Sequence, residues 1–341
     1  MKAQLLDVDA PEWVSFLRRS RHDFYHLPKY VALCATHEQG EPLALYVTNA
    51  SCSLLLPLVK RGIPGSDRTD VTSPYGYPGP LVCGTDAPEF LQEALVCGME
   101  TLLEAGVVSA FIRLHPLLNA SPPQGLGTIV EHGKTVSVDL TLPNDMLWAQ
   151  MRPNHRRDIR RAIQLGYVAG LDEAFEGFGS FKRLYRLTMA RRSASPYYFF
   201  GDAYFDRLRD ALGERLRLFT VAKDNAIAAA GLFVEIDGIV QYHLSGSADA
   251  LGNVQPTKLM LDCVRRWGKQ RGDRYLHLGG GVSGADDSLF WFKAGFSPQR
   301  HPFRTVRIVL DEGEYRRLVT VRDPLLDPGD RSAFFPQYRR A

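Results

Sequence analysis

Hydrophobic and polar positions recur in the same order in each half of the chain. In the first half, two apolar runs joined by Thr48-Asn-Ala50 predict a β-hairpin. Apolar residues then fall on one stripe over 88–105, which predicts a helix ahead of a buried strand. The predicted elements are an amphipathic segment at 10–21, strands at 42–47 and 51–59, a proline- and glycine-rich loop at 70–80, a helix at 88–105, and strands at 107–114 and 136–140.

The second half repeats this order. Asp237-Gly238 predicts a tight turn between two strands, and a helix with one apolar face follows a loop. The predicted elements are strands at 214–222, 226–235 and 239–245, a loop at 246–256, a helix at 257–271 and a strand at 275–278. The two sets lie roughly 170 residues apart, a separation that suits two copies of one domain and is too long for a solenoid.

The pattern therefore predicts an α/β protein with mixed sheets in two domains. We expect an N-terminal domain at 1–145, a C-terminal domain at 146–320 and a tail at 321–341. A basic helical linker at 146–165 would open the second domain.

Composition fits a soluble globular protein of a reducing compartment. Hydrophobic residues make up 45% of the chain, and 41 basic against 38 acidic residues give a net charge of +3, too small to indicate a nucleic-acid binder. Five cysteines without C-x-x-C spacing predict free thiols, no disulfide framework and no metal site. No apolar run approaches the ~18 residues of a membrane span, so we expect a cytoplasmic protein.

The segment most suggestive of chemistry is a strand end with three glycines, Leu278-Gly-Gly-Gly281, followed by Asp287-Ser-Leu-Phe-Trp-Phe-Lys293-Ala-Gly-Phe296. Glycines allow close approach of a ligand to the backbone, and aromatic residues can anchor the short helix while its lysine faces a polar group. Spacing alone also allows a surface lysine between core aromatics.

Basic residues are concentrated between positions 152 and 192, where ten Lys or Arg stand against four Asp or Glu. Such a local excess attracts phosphates, and the planar guanidinium suits bidentate phosphate contacts. A solvated helix face is the alternative. The basic residues are Arg152, Arg156, Arg157, Arg160, Arg161, Lys182, Arg183, Arg186, Arg191 and Arg192.

Three segments resemble the FemABX-like branch of the GNAT acyltransferases, in particular its compact FemX type. They are the basic run at 154–166, the block from Thr188-Met-Ala-Arg-Arg to Tyr197-Tyr-Phe-Phe200, and the glycine and lysine segment. The first half matches more weakly, through 73–80. The resemblance implies two tandem GNAT-like domains with a cleft between them.

The resemblance also implies roles for residues. Lys293 would lie at the reaction centre, the backbone at Gly279 and Gly280 would stabilise the oxyanion, and His243 or His277 could relay a proton unless they are ordinary core histidines. The expected substrate-binding residues are Arg191, Arg192, Tyr197, Tyr198, Tyr75, Tyr77 and Phe292, and the expected RNA-binding residues are Arg156, Arg157, Arg160 and Arg161.

The donor expected from the resemblance is an aminoacyl-tRNA. GNAT enzymes that use CoA bind its diphosphate with a glycine-rich helix start, whereas the equivalent stretch at 251–258 carries Pro256, which lacks an N–H. We therefore expect amide formation from aminoacyl-tRNA, without a cofactor. The acceptor would be an amine of a peptide-like or nucleotide-linked molecule, such as a peptidoglycan precursor or a peptide intermediate of antibiotic biosynthesis. The alternatives are an acyl-CoA-dependent N-acyltransferase acting on a small amine, sugar or lipid precursor, and a catalytically silent RNA-binding protein.

Overall fold

The chain folds into two compact units. The structure is a computed structural model that describes residues 1–85, 87–121, 125, 127–249, 254–330 and 334–340. Unit 1 comprises 1–133 and 302–341, and unit 2 comprises 134–301. These boundaries differ from the predicted ones at 145/146 and 320/321, because the strands around 134 and 302 each join the sheet of the other half.

Unit 1 is a mixed sheet covered by helices. Its strands are β1 (Lys2–Leu6), β2 (Glu41–Asn49), β3 (Cys52–Gly62), β4 (Thr69–Thr72), β5 (Leu81–Cys83), β6 (Val107–Arg113) and, from residue 302 onward, β13 (Arg300–Val309). Its helices are α1 (Pro11–Leu17), α2 (Pro28–Glu38), α3 (Pro88–Glu104) and α10 (Glu312–Arg322). The sheet order is β1-β2-β3-β4-β6-β13, with β4 and β6 parallel and the other neighbours antiparallel, and β5 pairs with β3.

Unit 2 has the same plan. Its strands are β7 (Thr128–Asp139, from residue 134 onward), β8 (Val168–Leu171), β9 (Leu216–Lys223), β10 (Ala226–Ile236), β11 (Ile239–Ser247) and β12 (Tyr275–Gly279). Its helices are α4 (Asn144–Gln150), α5 (Pro153–Gln164), α6 (Phe178–Arg191), α7 (Asp202–Leu212), α8 (Pro256–Arg271) and α9 (Ser288–Lys293). The order β8-β9-β10-β11-β12-β7 has one parallel pair, β11 and β12.

The strands of the two sheets follow the same order of parallel and antiparallel neighbours. Each contains an antiparallel meander of four strands, then a parallel neighbour, then an antiparallel sixth strand. The sixth strand of unit 1 is β13, from the end of the chain, and that of unit 2 is β7, which precedes its other strands. The predicted α/β class and the twofold repeat are confirmed, and the sixth strands are exchanged between the sequence halves.

Each sheet buries apolar side chains on both faces. In unit 2, α5 and α8 cover one face, where Ile159, Met260 and Val264 pack against Phe219 and Phe233. A third helix, α6, covers the other face. Gly231 of β10 faces α8 and lies close to Met260. Gly246 of β11 is adjacent to the residue that pairs with Gly231, so it faces the opposite side of the sheet. There it lies close to the backbone of α6 at Leu184 and Tyr185.

The end of the chain also packs on unit 1. Tyr315 and Leu318 of α10 form a small core with Tyr338 from the final segment. The hydroxyl of Tyr338 donates to the buried carboxylate of Asp70 at 3.1 Å, and Arg339 pairs with the same carboxylate. Within the described residues, no helix is long and apolar enough to span a bilayer.

Candidate functional site

The candidate site in unit 2 is the gap where two parallel strands separate. β11 and β12 pair over only three positions, from Ile239 with Tyr275 to Gln241 with His277. Beyond this point β11 continues to Ser247 and β12 to Gly279. Two residues after Gln241, His243 is an extra residue in β11, because Leu232 pairs with Leu244 and Phe233 with Tyr242. Such a bulge bends the strand and re-aims its side chains.

The three glycines at the end of β12 are required by local geometry. Gly279 has a φ of 74°, in the left-handed region that side chains disfavour. A Cβ on Gly280 would lie 2.8 Å from the carbonyl oxygen of Lys134, and one on Gly281 would collide with the Ala285 carbonyl and the Asp287 carboxylate. The backbone at this edge of the gap therefore lacks side chains.

Asp287 joins the glycine turn to α9. Its carboxylate accepts hydrogen bonds from the N–H of Phe290 at 2.8 Å and from the N–H of Val282 at 3.0 Å. Burial works to raise the pKa of Asp287, but these backbone donors and the charge of Lys293 lower it below its usual value. Phe290 and Phe296 are buried beneath the helix, as the spacing predicted.

Lys293 is buried and points back to the glycine turn. Its side chain is 9% exposed, and its Nζ donates to the carbonyl oxygen of Gly280 at 2.6 Å. The same nitrogen lies 5.9 Å from the centre of the Tyr242 ring on β11. Burial lowers the pKa of Lys293 to about 8, and Asp287 partly opposes the shift. The lysine therefore bridges the two edges of the gap, with a pKa near the working range of an acid–base group.

The two predicted histidines are placed differently. His277 is fully buried, with Nδ1 2.7 Å from Oε1 of Gln241 and Nε2 2.9 Å from the hydroxyl of Thr135. Because the amide oxygen of Gln241 only accepts, Nδ1 of His277 is the donor. His243 is half-buried in the bulge, nearer to the open end of β11. His277 thus has the contacts of a positioning residue.

A third histidine, which the sequence analysis did not single out, supports α9. Nε2 of His155 donates to the carbonyl oxygen of Phe292 at 2.8 Å, and its ring lies 4.8 Å from the ring of Phe296. Burial lowers the pKa of His155 to about 4, so the ring is neutral at pH 7. Phe292 packs between these groups as a half-buried residue.

Arg191 and Arg192 lie where α6 ends. The guanidinium of Arg191 pairs with Asp249 and contacts the carbonyl oxygen of Ser247, the last residue of β11, at 3.4 Å. Arg192 is exposed. Tyr197 and Tyr198 follow in a 3₁₀ turn, held by a hydrogen bond from the Tyr185 hydroxyl to the Tyr198 carbonyl at 2.8 Å. Of these four residues, Arg191 contacts the open end of β11.

The arginines of α5 belong to another surface. α5 packs with α8, on the face of the sheet opposite to α6. The predicted basic cluster at 152–192 is therefore divided between two faces. Arg157, Arg160 and Arg161 are exposed, and Arg156 is half-buried.

An ion pair lies at the start of α8. Lys258, in the first turn, is 7% exposed and its Nζ contacts the carboxylate of Asp158 on α5 at 2.7 Å. Gln255 precedes the helix without a side-chain cap, and Pro256 occupies the first position. The first part of the predicted CoA stretch, 251–253, lies outside the described residues.

The corresponding gap in unit 1 is bridged by the chain itself. After Thr72 pairs with Phe111, the N–H of Ser73 donates to the Phe111 carbonyl at 2.8 Å. The N–H of Arg113 donates to the Ser73 hydroxyl at 2.9 Å, and its guanidinium donates to the Ser73 carbonyl at 2.7 Å. Unit 1 therefore lacks an open gap at this position.

Tyr75 and Tyr77, predicted to bind substrate, lie in unit 1. The carbonyl oxygen of Tyr75 accepts a hydrogen bond from the hydroxyl of Tyr30 at 2.9 Å, and the ring of Tyr77 packs edge-on against Tyr25 and Phe303. Tyr77 thus belongs to an aromatic cluster of that unit, and Tyr75 is held there through its backbone. Their role in substrate binding stays a prediction.

Sequence comparison matches part of the second half to the acetyltransferase (GNAT) domain family. Residues 149–287 match the family model for this domain. The matched region includes the bulged strand, the parallel pair and the three glycines, and it ends six residues before Lys293. Comparison with curated proteins finds no match.

Solved structures show a likeness over nearly the whole chain. FemX superposes with a TM-score of 0.71 at 13% identity, covering 93% of this chain and 99% of FemX. The C-terminal domain of a protein from Agrobacterium fabrum, provisionally assigned as a lysylphosphatidylglycerol synthetase, gives 0.56 at 13% identity, with 91% and 96% covered. L-PGS from Bacillus licheniformis gives 0.55 at 14%, with 89% and 93% covered.

At these identities the likeness establishes the fold. The chain shares the fold of FemX, and its two units have the same strand plan, as the resemblance implied. Together with the GNAT domain match, this supports an acyltransferase.

Proposed function

We propose that the chain is an aminoacyltransferase that moves an amino acid from aminoacyl-tRNA to an amine of a peptide-like or nucleotide-linked acceptor. The acceptor would be a cell-wall precursor or a secondary-metabolite peptide, and the enzyme would act in the cytoplasm without a cofactor. The observation that carries the proposal is the gap between β11 and β12, with Lys293 bound to the Gly280 carbonyl at one edge and facing Tyr242 at the other.

The gap suits acyl transfer between two bound substrates. The acceptor amine would attack the carbonyl carbon of the aminoacyl ester, and a C–N bond would form as the carbonyl oxygen becomes an oxyanion. The C–O bond to the tRNA would then break, and the proton lost by the amine would pass to the departing hydroxyl. Orientation and oxyanion stabilisation supply much of the rate enhancement in such reactions.

Lys293 is suited to the charged stage of this reaction. With its pKa lowered by burial to about 8, it carries a proton at pH 7 in a site of low polarity, where a charge acts strongly. Its ammonium group can stabilise the oxyanion or protonate the leaving oxygen. Gly279 and Gly280 would provide the side-chain-free backbone against which the carbonyl lies.

The start of α8 favours aminoacyl-tRNA over acyl-CoA. An anion-binding helix start needs free N–H groups, and Pro256 lacks one. The ammonium group of Lys258, in the first turn, is already paired with the Asp158 carboxylate and is therefore not available to a diphosphate. Both features disfavour CoA, and acyl-CoA-dependent transfer to a small amine, sugar or lipid precursor remains the second candidate.

A donor competition tests the proposal. The purified protein would be given radiolabelled amino acids, ATP, synthetases, tRNA and an extract of small amine acceptors, with and without RNase, and in parallel acetyl-CoA or longer acyl-CoA donors. We expect label to enter an acceptor only with intact tRNA. RNase-resistant transfer from acyl-CoA would support the second candidate instead, and Lys293→Met should lower either activity about 10²–10³-fold.

A further inference from the structure

One face of α5 carries a row of arginines with a tryptophan at each end. The guanidinium of Arg152 lies 5.1 Å from the centre of the Trp291 ring, and that of Arg160 lies 5.3 Å from the Trp148 ring. Arg156 stands between them, four residues from each. Since a helix rises about 1.5 Å per residue, the three arginines follow one another at intervals of about 6 Å.

Stacking on an indole ring orients Arg152 and Arg160 so that they can bind an anion. A guanidinium that lies over an indole is held in place, while N–H groups along its edge stay available to a phosphate. The helix supplies only one acid, Asp158, and its carboxylate is taken by Lys258 at 2.7 Å and Arg157 at 3.3 Å. Five arginines and one aspartate over 152–164 leave this surface with a charge of +4.

Trp291 gives the surface an exposed aromatic ring. Its side chain is 49% exposed, an unusual state for tryptophan, whereas Lys293 in the same short helix is 9% exposed. Residues two apart in a helix point to opposite sides, so Trp291 lies about one helix width from the reaction centre. It is close enough to contact a substrate that extends out of the gap.

The positive charge of the α5 surface and the exposed ring of Trp291 together indicate which kind of partner binds there. An amphipathic helix binds a bilayer by inserting its apolar face, and α5 buries that face, with His155, Ile159 and Ala162, inside unit 2. The surface therefore presents guanidinium groups with indole rings. That combination matches a nucleic-acid strand, whose phosphates pair with arginine and whose unpaired bases stack on aromatic rings.

We propose that Trp291 stacks on an unpaired base of a bound RNA, that Arg152 holds the indole in position, and that Arg156 and Arg160 contact the phosphates that adjoin this base. This inference rests on the proposed function, since the RNA would be the aminoacyl-tRNA, and it assigns the unpaired end of that RNA to the surface beside α9. Trp291 is thereby added to the arginines predicted from sequence to bind RNA, with Arg152 and Trp148 as positioning residues for Trp291 and Arg160.

Binding of two hairpin RNAs tests the proposal. One hairpin carries four unpaired nucleotides at its 3′ end, and the other has the same stem with a blunt end. We expect the protein to bind the tailed hairpin more tightly, with quenching of tryptophan fluorescence. Trp291→Leu should weaken binding of the tailed hairpin about tenfold and leave the blunt hairpin unchanged, because stacking concerns only unpaired bases. Trp291→Phe should bind with intermediate affinity.

The arginines predict a different signature. Arg156→Gln combined with Arg160→Gln should weaken both hairpins and reduce the slope of log Kd against log salt by about 2, one for each lost phosphate contact. Arg183→Gln is the matched control, since Arg183 is an exposed arginine of α6 on the other face of the sheet. Melting temperatures of all variants should match the wild type.

Three results would overturn the inference. Equal affinity of the wild type for tailed and blunt hairpins would show that no base stacks, and equal loss in Arg183→Gln would show a diffuse charge effect. Binding to vesicles of anionic phospholipid, lost in the α5 variants while RNA binding is unchanged, would assign the surface to a membrane. RNase resistance of the transfer reaction would contradict the proposed function alone, because hairpin binding is measured without turnover.

Discussion

His277 and Gln241 form a hydrogen bond at the last position where β12 and β11 pair, with Nδ1 of the imidazole 2.7 Å from Oε1 of the amide. Nε2 of the same ring lies 2.9 Å from the hydroxyl of Thr135 on β7. One buried side chain therefore joins three strands, two residues before the left-handed Gly279. The width of the gap depends on this junction.

Two substitutions at His277 separate its contacts. Asparagine can place its amide nitrogen near the position of Nδ1, and glutamine near that of Nε2. We expect His277→Asn, which keeps the bond to Gln241, to retain more of kcat than His277→Gln. Both variants should lose about 1–3 kcal/mol of unfolding free energy, since each leaves a buried polar group without its partner. Urea denaturation measures the loss of stability, and steady-state kinetics measures the loss of kcat. Equal losses of kcat in the two variants would show that the bond to β11 matters no more for turnover than the bond to β7.

Lys293→Met should impair turnover without impairing folding. Methionine fills most of the lysine stem but carries no charge, so the substitution removes the ammonium contact and little packing. We expect kcat to fall about 10²–10³-fold with little change in KM, as for loss of a transition-state contact. Lys223→Met, at the end of β9, is the control. Near-normal turnover, or a lower melting temperature with unchanged activity per folded molecule, would remove Lys293 from the reaction.

The lowered pKa of Lys293 also predicts a pH-dependent stability. The amine loses its proton near pH 8 in the folded chain and near pH 10.5 when unfolded. Between these values the unfolded chain binds more protons, so the free energy of unfolding rises with pH, by at most about 1.4 kcal/mol per unit from this group. Below pH 8 Lys293 is charged in both the folded and the unfolded chain, so the whole cost of burying its charge is subtracted from the free energy of unfolding. Lys293→Met should therefore be more stable than wild type at pH 7, by a margin that shrinks toward pH 10, and a constant margin in urea unfolding would contradict the shift.

The ion pair between Asp158 and Lys258 should behave as a coupled unit. Asp158→Asn leaves the buried ammonium of Lys258 without its carboxylate, at a cost of about 2 kcal/mol in unfolding free energy. Asp158→Asn with Lys258→Met should recover part of that loss, because both charges are then absent. Denaturant unfolding of the four proteins of the cycle gives the coupling energy. Additive losses would mean that the two side chains do not interact.

Arg191 and Arg192 are expected to act on substrate binding. Replacing both with Ala should raise KM for a phosphate-bearing acceptor or for tRNA, and the effect should grow at low salt, where charge contacts are strongest. Arg215→Ala, an exposed arginine of unit 2, is the control. KM values that do not depend on salt in either protein would show that these arginines form only a solvated end of α6.

Local patterns in the sequence predicted much of the fold. The stripe at 88–105 and the Asp237-Gly238 turn are observed as α3 and as the turn between β10 and β11, because both depend on neighbouring residues. The linker at 146–165 is two helices, since Met151 is extended and Pro153 starts a new helix. Sequence periodicity could not show which sheet β7 or β13 joins, since strand pairing is a long-range property.

The site was predictable only in part. The three glycines and Lys293 lie near one another in the chain, and the structure joins them through one hydrogen bond. Tyr242 comes from another strand, and Asp158 lies a hundred residues from Lys258, so neither contact has a local signal. The basic residues were adjacent in sequence, yet α5 and α6 cover opposite faces of the sheet.

The exchange of sixth strands has a consequence for biosynthesis. Unit 2 is one continuous segment, 134–301, whereas unit 1 needs β13 and the final segment that binds Asp70. On the ribosome, the first half of the chain emerges early, but unit 1 stays incomplete until β13 and the segment through Arg339 have emerged. We expect unit 2 to become protease-resistant in stalled nascent chains before unit 1 does, which reverses the usual N-terminal-first order of domain folding.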